Sequence, residues 1–348
     1  MSNSTRRQLT FALSLILGLG VMEPALNPPT ANAACFFWQA CARSRGSASN
    51  TRAGGKRTGR IRGGNNAEIP YVISPRNAWI RQPEVDEANY TIRWNPVEGT
   101  ASYTVQLWLW TYEQDEPNVA LWEDTVDGTV TEVEFPNLVL TPGAYYSIEV
   151  TTDSGVSSDL DEGFYKSGFQ LLFSEDYEIL KLQLSDIAAD IPDDTDNVLA
   201  AADGLGDLTE ESALAKAGVF FLEEMYADAL IVLQELIASN KASDLVYTAL
   251  GDTYSRTGLN QLSIASYREA LKLAQSNSDL LSEATIRVNL ADVYATLGEF
   301  DDALGQLSLA RLAYIELAEE AEVERLNRRI SLLSQLVAQQ NESADQDL

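Results

Sequence analysis

A chain of 348 residues with ordinary apolar content is long enough for about two domains of roughly 150 residues each. It contains no histidine, and its two cysteines, Cys35 and Cys41, lie in one short stretch, so Ser/His/Asp and Cys/His nucleophile systems and imidazole or thiolate zinc sites are excluded. The net charge of −28 repels nucleic-acid phosphates and anionic membrane surfaces, leaving cationic partners or simple solubility as its readings.

The chain opens on Arg6 and Arg7, an apolar run from Phe11 to Met22, and Ala31-Asn32-Ala33, the small-residue pattern a signal peptidase accepts. The run is well short of the roughly 20 residues that span a bilayer, so residues 1–33 read as a signal peptide and no transmembrane segment is expected. The expected location is periplasmic or extracellular. Lipid anchoring at Cys35 is a rival reading, against which Asn32 stands where a lipoprotein signal carries an aliphatic residue. Under oxidising conditions Cys35 and Cys41 are expected to close a small disulfide loop, with an intermolecular bridge left open. Residues 34–66 are dense in Gly, Ser, Arg and Asn and hold seven basic residues from Arg43 to Arg62 with no acid, which reads as a basic flexible linker or an arm that docks on acidic surface.

From residue 67 to 173 the pattern has period two, with β-branched and aromatic residues broken by turn signals such as Asp127-Gly128 and Pro142-Gly143, so a β-sandwich of short strands is expected. Alternation places Tyr90, Ile92 and Trp94 on one inner face and Tyr103, Val105, Leu107 and Leu109 on the other. Trp94, the Tyr103-Thr104-Val105 run and the Leu140, Pro142, Tyr146 spacing resemble a fibronectin type III or related immunoglobulin-like domain. The opposite face carries Trp108, Trp110 and Tyr112, with Tyr145 beside them, an aromatic row suited to sugar rings or a protein hot spot. Its plainer reading is a fixed interface covered by the helix that follows.

At Ser174 the period changes to 3.6 and an all-α domain is expected over 174–348, its first helix ending before Pro192. LGDTYSRTGLNQLSIASYREAL from Leu250 aligns without gaps on LADVYATLGEFDDALGQLSLAR from Leu290, and KAGVFFLEEMYADALIVLQELI puts Ala217, Phe220, Ala229 and Leu233 in register. Small residues at Gly251, Ala291 and Ala270 allow close helix approach, and Tyr247, Tyr254, Tyr294 and Phe300 fill the space between hairpins. The extra length between the second and third copies is expected in the junction around SNSDLL, and a capping helix over Tyr314 to Gln340. These motifs resemble the tetratricopeptide repeat, and the domain pairing resembles secreted bacterial proteins of mixed fibronectin-like and tetratricopeptide make-up.

The resemblance implies binding of an extended or helical partner along the first helix of each hairpin, which selects Leu245, Thr248, Asp252, Ser255 and Arg256, then Thr285, Val288, Asp292, Ala295 and Thr296. Asp252 and Asp292 recur at one repeat position, so a partner with Lys or Arg is expected, against the plainer reading of solvated helix faces. Asp159-Leu160-Asp161-Glu162-Gly163 and the run Asp193 to Asp196 lack the ligand spacing of a calcium loop, so no metal and no cofactor are expected. The expectation is a non-catalytic scaffold or adaptor with a protein partner and room for self-association. The alternative is a glycan-binding or adhesin-like surface protein that uses the aromatic face.

Overall fold

The computed structural model describes residues 63–82, 90–111, 118–161, 167–190, 209–240 and 242–346. The signal segment, both cysteines, Tyr112 and the acidic run Asp193 to Asp196 lie outside the described residues.

The β-branched and aromatic half forms strands β1 (Val72–Ser74), β2 (Ala78–Ile80), β3 (Thr91–Trp94), β4 (Ser102–Leu109), β5 (Val119–Asp127), β6 (Glu132–Glu134), β7 (Tyr145–Thr152) and β8 (Gly168–Leu171). They build one sheet in the order β1-β3-β6 and another in the order β2-β8-β7-β4-β5, with β2 parallel to β8 and the other pairs antiparallel. The sheets share a core of Val72, Ile92 and Trp94 from the first and Val105, Leu107, Ile148, Val150 and Phe169 from the second. Trp94 meets Tyr103 edge-on, ring centres 5.4 Å apart, across this core. Leu109, expected inside, is half-buried at the end of its strand.

Strands end at Leu171, and helices follow: α1 (Ser174–Asp190), α2 (Glu210–Leu222), α3 (Tyr226–Ala238), α4 (Asp244–Thr257), α5 (Asn260–Ser276), α6 (Leu280–Leu297), α7 (Phe300–Glu316) and α8 (Glu320–Gln346). The first helices of the hairpins are capped by side chains: Thr209 accepts from the Ser212 amide, Ser243 from Leu245, and Asp279 from Leu281 and Ser282. Helices α4 and α6 end on Gly258 and Gly298, at φ of 80° and 84°, a left-handed conformation that costs a residue without Cβ little. Consecutive helices pack as hairpins α2–α3, α4–α5 and α6–α7, with α8 against α7, and the first helices touch one another, α2 with α4 and α4 with α6. Gly251 is a true close approach, because a Cβ there would lie 2.6 Å from the Tyr267 ring.

Two helical boundaries differ from the sequence reading. The extra length between the second and third copies lies in α5 and α6, of 17 and 18 residues, and not in the junction, which is only Asn277 to Asp279. Buried Ala274 and Ala284 carry the helices to that point. The capping helix begins at Glu320, whereas Tyr314 is buried in the last turns of α7. The chain turns through Ala318 at φ 58°, with no glycine or proline between Glu316 and Glu319 to signal the break.

Among the described residues, no helix is long and apolar enough to cross a membrane, and no group of His, Cys, Asp or Glu is placed to hold a metal.

Candidate partner-binding face

The two halves meet along the edge formed by the turns within the first two hairpins. Arg81, beside β2, donates through Nε to Asp228 in the first turn of α3 at 2.9 Å, and Tyr90 donates to the other carboxylate oxygen at 2.8 Å. All three side chains are buried. Burial alone would lower the Arg81 guanidinium's pKa, but Asp228 and Tyr90 outweigh it and hold the cation charged. Burial, then the Asp228 charge, pushes the Tyr90 phenol well above its ordinary range.

A second anchor is Arg76, which donates to the Thr257 carbonyl at 2.9 Å and to Asp161 at 2.7 Å, while Asn77 reaches the same Thr257 carbonyl. Asp161 also accepts from the Gly64 amide, and the Gly63 carbonyl accepts from Asn260. Gly63 and Gly64, near the end of the linker expected over residues 34–66, are therefore seated and buried at this joint. Asp161, in one of the carboxylate clusters, is consumed in the same network. Around these polar anchors Ile69, Tyr71, Trp79 and Leu172 from the strand half share one core with Phe220, Leu230 and Leu259 from the helices.

The joint does not cover the aromatic row of β4. Helix α1 packs on α2, with Phe173 against Trp79 at 6.3 Å, so the expected helical cover lies elsewhere. Trp108, Trp110 and Tyr145 are half-buried, and Trp110 meets Tyr145 edge-on at 6.4 Å.

On the first-helix face the expected residues separate into two groups. Thr248, Val288 and Asp252 are buried, with Asp252 only 6% exposed, and the Thr248 hydroxyl donates back to the Asp244 carbonyl. Tyr267 reaches across from α5 to donate to one Asp252 oxygen, and the other oxygen is buried without a hydrogen-bond partner. Burial drives the Asp252 carboxyl well above the usual carboxylate range, offset in part by Tyr267 and by the nearby Arg256. Asp292 is half-exposed and bonded to Arg329 of α8. The pair expected to stand as open acids is therefore a buried carboxyl that favours its neutral form and a carboxylate already matched by a cation. Leu245, Ser255, Thr285, Ala295 and Thr296 are half-exposed, and Arg256 is exposed with its guanidinium over the Phe221 ring, 5.7 Å from the centroid.

Nothing in local spacing points to Arg329, which lies 37 residues from Asp292 on a helix read only as a cap. Phe221 falls next to Arg256 because α2 and α4 touch, a tertiary fact.

A tetratricopeptide-repeat family model matches residues 243–311, the part of the chain built from α4, α5, α6 and most of α7. Repeats of this family mediate protein–protein interactions and are in general non-catalytic scaffolds. No curated protein matches the chain. Among solved structures it is similar to the crystal structure of BtubC (BKLC) from P. vanneervenii, at 24% identity over 44% of this chain and 65% of that one, with a TM-score of 0.32.

Proposed function

We propose that this protein is an exported, non-catalytic scaffold that holds a protein segment along the first-helix face of its repeat stack. The observation that carries the reading is where the strand half sits. It is locked onto the turn edge of the first two hairpins by Arg76, Arg81 and Asp228, while Leu245, Ser255, Arg256, Thr285, Ala295 and Thr296 stay at the surface. A module fixed at the edge sets the orientation of the stack without blocking its binding face.

The strand half is an immunoglobulin-like or fibronectin type III-like sandwich in this reading. The support is the sheet order and the Tyr146 hydroxyl, which accepts from the Thr141 amide at 2.7 Å, five residues upstream, in the manner of a tyrosine corner. Export rests on Arg6, Arg7, the Phe11 to Met22 run and Ala31-Asn32-Ala33, and places the working protein in the periplasm or outside the cell.

The test is a pull-down from envelope extract with the immobilised full chain, its Ala295→Arg variant and its Trp108→Ala/Trp110→Ala variant. A protein retained by the wild type and the tryptophan variant, and lost with Ala295→Arg, is the expected result. Glycan or wall material whose retention depends on Trp108 and Trp110 would instead make the sheet face the site, the adhesin-like alternative.

A further inference from the structure

From the contacts of the helical arginines we infer that the segment bound on the first-helix face is acidic, and that it presents a carboxylate to Arg256, with an apolar side chain beside it against Phe221. The inference rests on the scaffold reading above and names the chemistry of the partner. It reverses the charge that the sequence alone suggests for that partner.

Most of the helical guanidiniums are already engaged within the chain. In the described helices Arg287, Arg325, Arg328 and Arg329 each pair with a carboxylate of this chain, and Arg268 and Arg311, on second helices, donate to the neutral Tyr294 hydroxyl and Asn327 amide oxygen. Arg256 donates to no side-chain oxygen, and its partner is the Phe221 ring. The two aspartates that would recruit a cation are withdrawn, Asp252 by burial under Tyr267 and Asp292 by Arg329. Among the described residues of the first helices, Arg256 is the exposed cation without a carboxylate partner, since Arg287 is paired with Glu283.

The Phe221 ring lies within the distance at which a cation is held over an aromatic face, so the guanidinium is positioned before any partner arrives. A planar fork held in this way suits bidentate capture of a carboxylate better than capture of a point charge. Phe221 is itself only half-buried, so part of its ring remains as apolar surface for the residue flanking that carboxylate. The net charge of −28 does not overrule the contact, because exposed charges more than about 8 Å away are largely screened at physiological salt, whereas the carboxylate would sit at hydrogen-bond distance.

The experiment is selection of a random peptide display library on the full chain, with affinities of the enriched peptides measured on the wild type and on Arg256→Gln, Arg256→Lys and Ala295→Arg. Melting curves of each variant confirm that it folds. The expected peptides carry Asp or Glu beside an apolar residue, bind Arg256→Gln about ten- to a hundredfold more weakly, and recover only partly with Arg256→Lys. Peptides rich in Lys or Arg, or peptides indifferent to Arg256→Gln but lost with Ala295→Arg, would overturn the inference and leave the scaffold reading standing. Selection of no peptide sensitive to Ala295→Arg would overturn both.

Discussion

The joint between the two halves and the first-helix face of the stack each bury an aspartate, and they treat it differently. At the joint, Asp228 has a guanidinium on one oxygen and a phenol on the other, and Arg81 in turn has its charge answered. On the face, Asp252 has one phenol, an oxygen with no partner, and an arginine nearby that is turned to an aromatic ring. A polar network that is fully answered locks two elements in one arrangement, while a network with a donor left over has capacity for a group from outside. In the proposed reading the joint is fixed architecture and the face is the place where a partner completes the chemistry.

The largest expected effect is at the joint. Asp228→Ala strands the buried Arg81 cation and should cost about 3–5 kcal/mol in denaturant unfolding, whereas Arg81→Met with Asp228→Leu should recover most of that loss. A cost below about 1 kcal/mol for the single change would mean that the halves are not locked through this pair. Next comes Gly251→Ala, whose Cβ would lie 2.6 Å from the Tyr267 ring; about 1–3 kcal/mol of overpacking cost is expected, read as a lowered melting temperature.

A third change sharpens the contrast through pH. The Asp252 carboxyl titrates well above its unfolded value, so between those two values the folded chain binds more protons than the unfolded one and stability falls as pH rises. Asp252→Asn removes that titration, and its unfolding free energy should lose this part of the downward slope above the ordinary carboxylate pKa. An unchanged slope would show that Asp252 is ionised in the folded protein. The smallest effect is expected for Arg329→Met, since the pair with Asp292 is 26% and 37% exposed in its two side chains, and about 0–1 kcal/mol is the range for such a surface pair.

Much of the fold was legible from local pattern. The period-two run from Tyr90 to Trp94 and from Tyr103 to Leu107 forms two facing core surfaces, and the copies aligned from Leu250 and Leu290 form the matching hairpins α4–α5 and α6–α7. The start of α8 was not legible, because Ala318 adopts its left-handed turn without a residue type that announces it. Neither was the fate of Asp252 and Asp292. Recurrence at one repeat position places both acids on the first helices, but exposure depends on what the neighbouring helix brings, and α5 brings Tyr267 to one while α8 brings Arg329 to the other.

By itself, then, the sequence determined the composition of the site and the architecture that holds it: a chain without histidine, strands followed by repeated helical hairpins, and polar side chains on the first helix of each. Only the tertiary structure decided which of those side chains carry an available charge. Periodicity is a property of one element at a time, whereas burial of a carboxyl or the pairing of a cation is set by residues far apart in sequence that packing brings together.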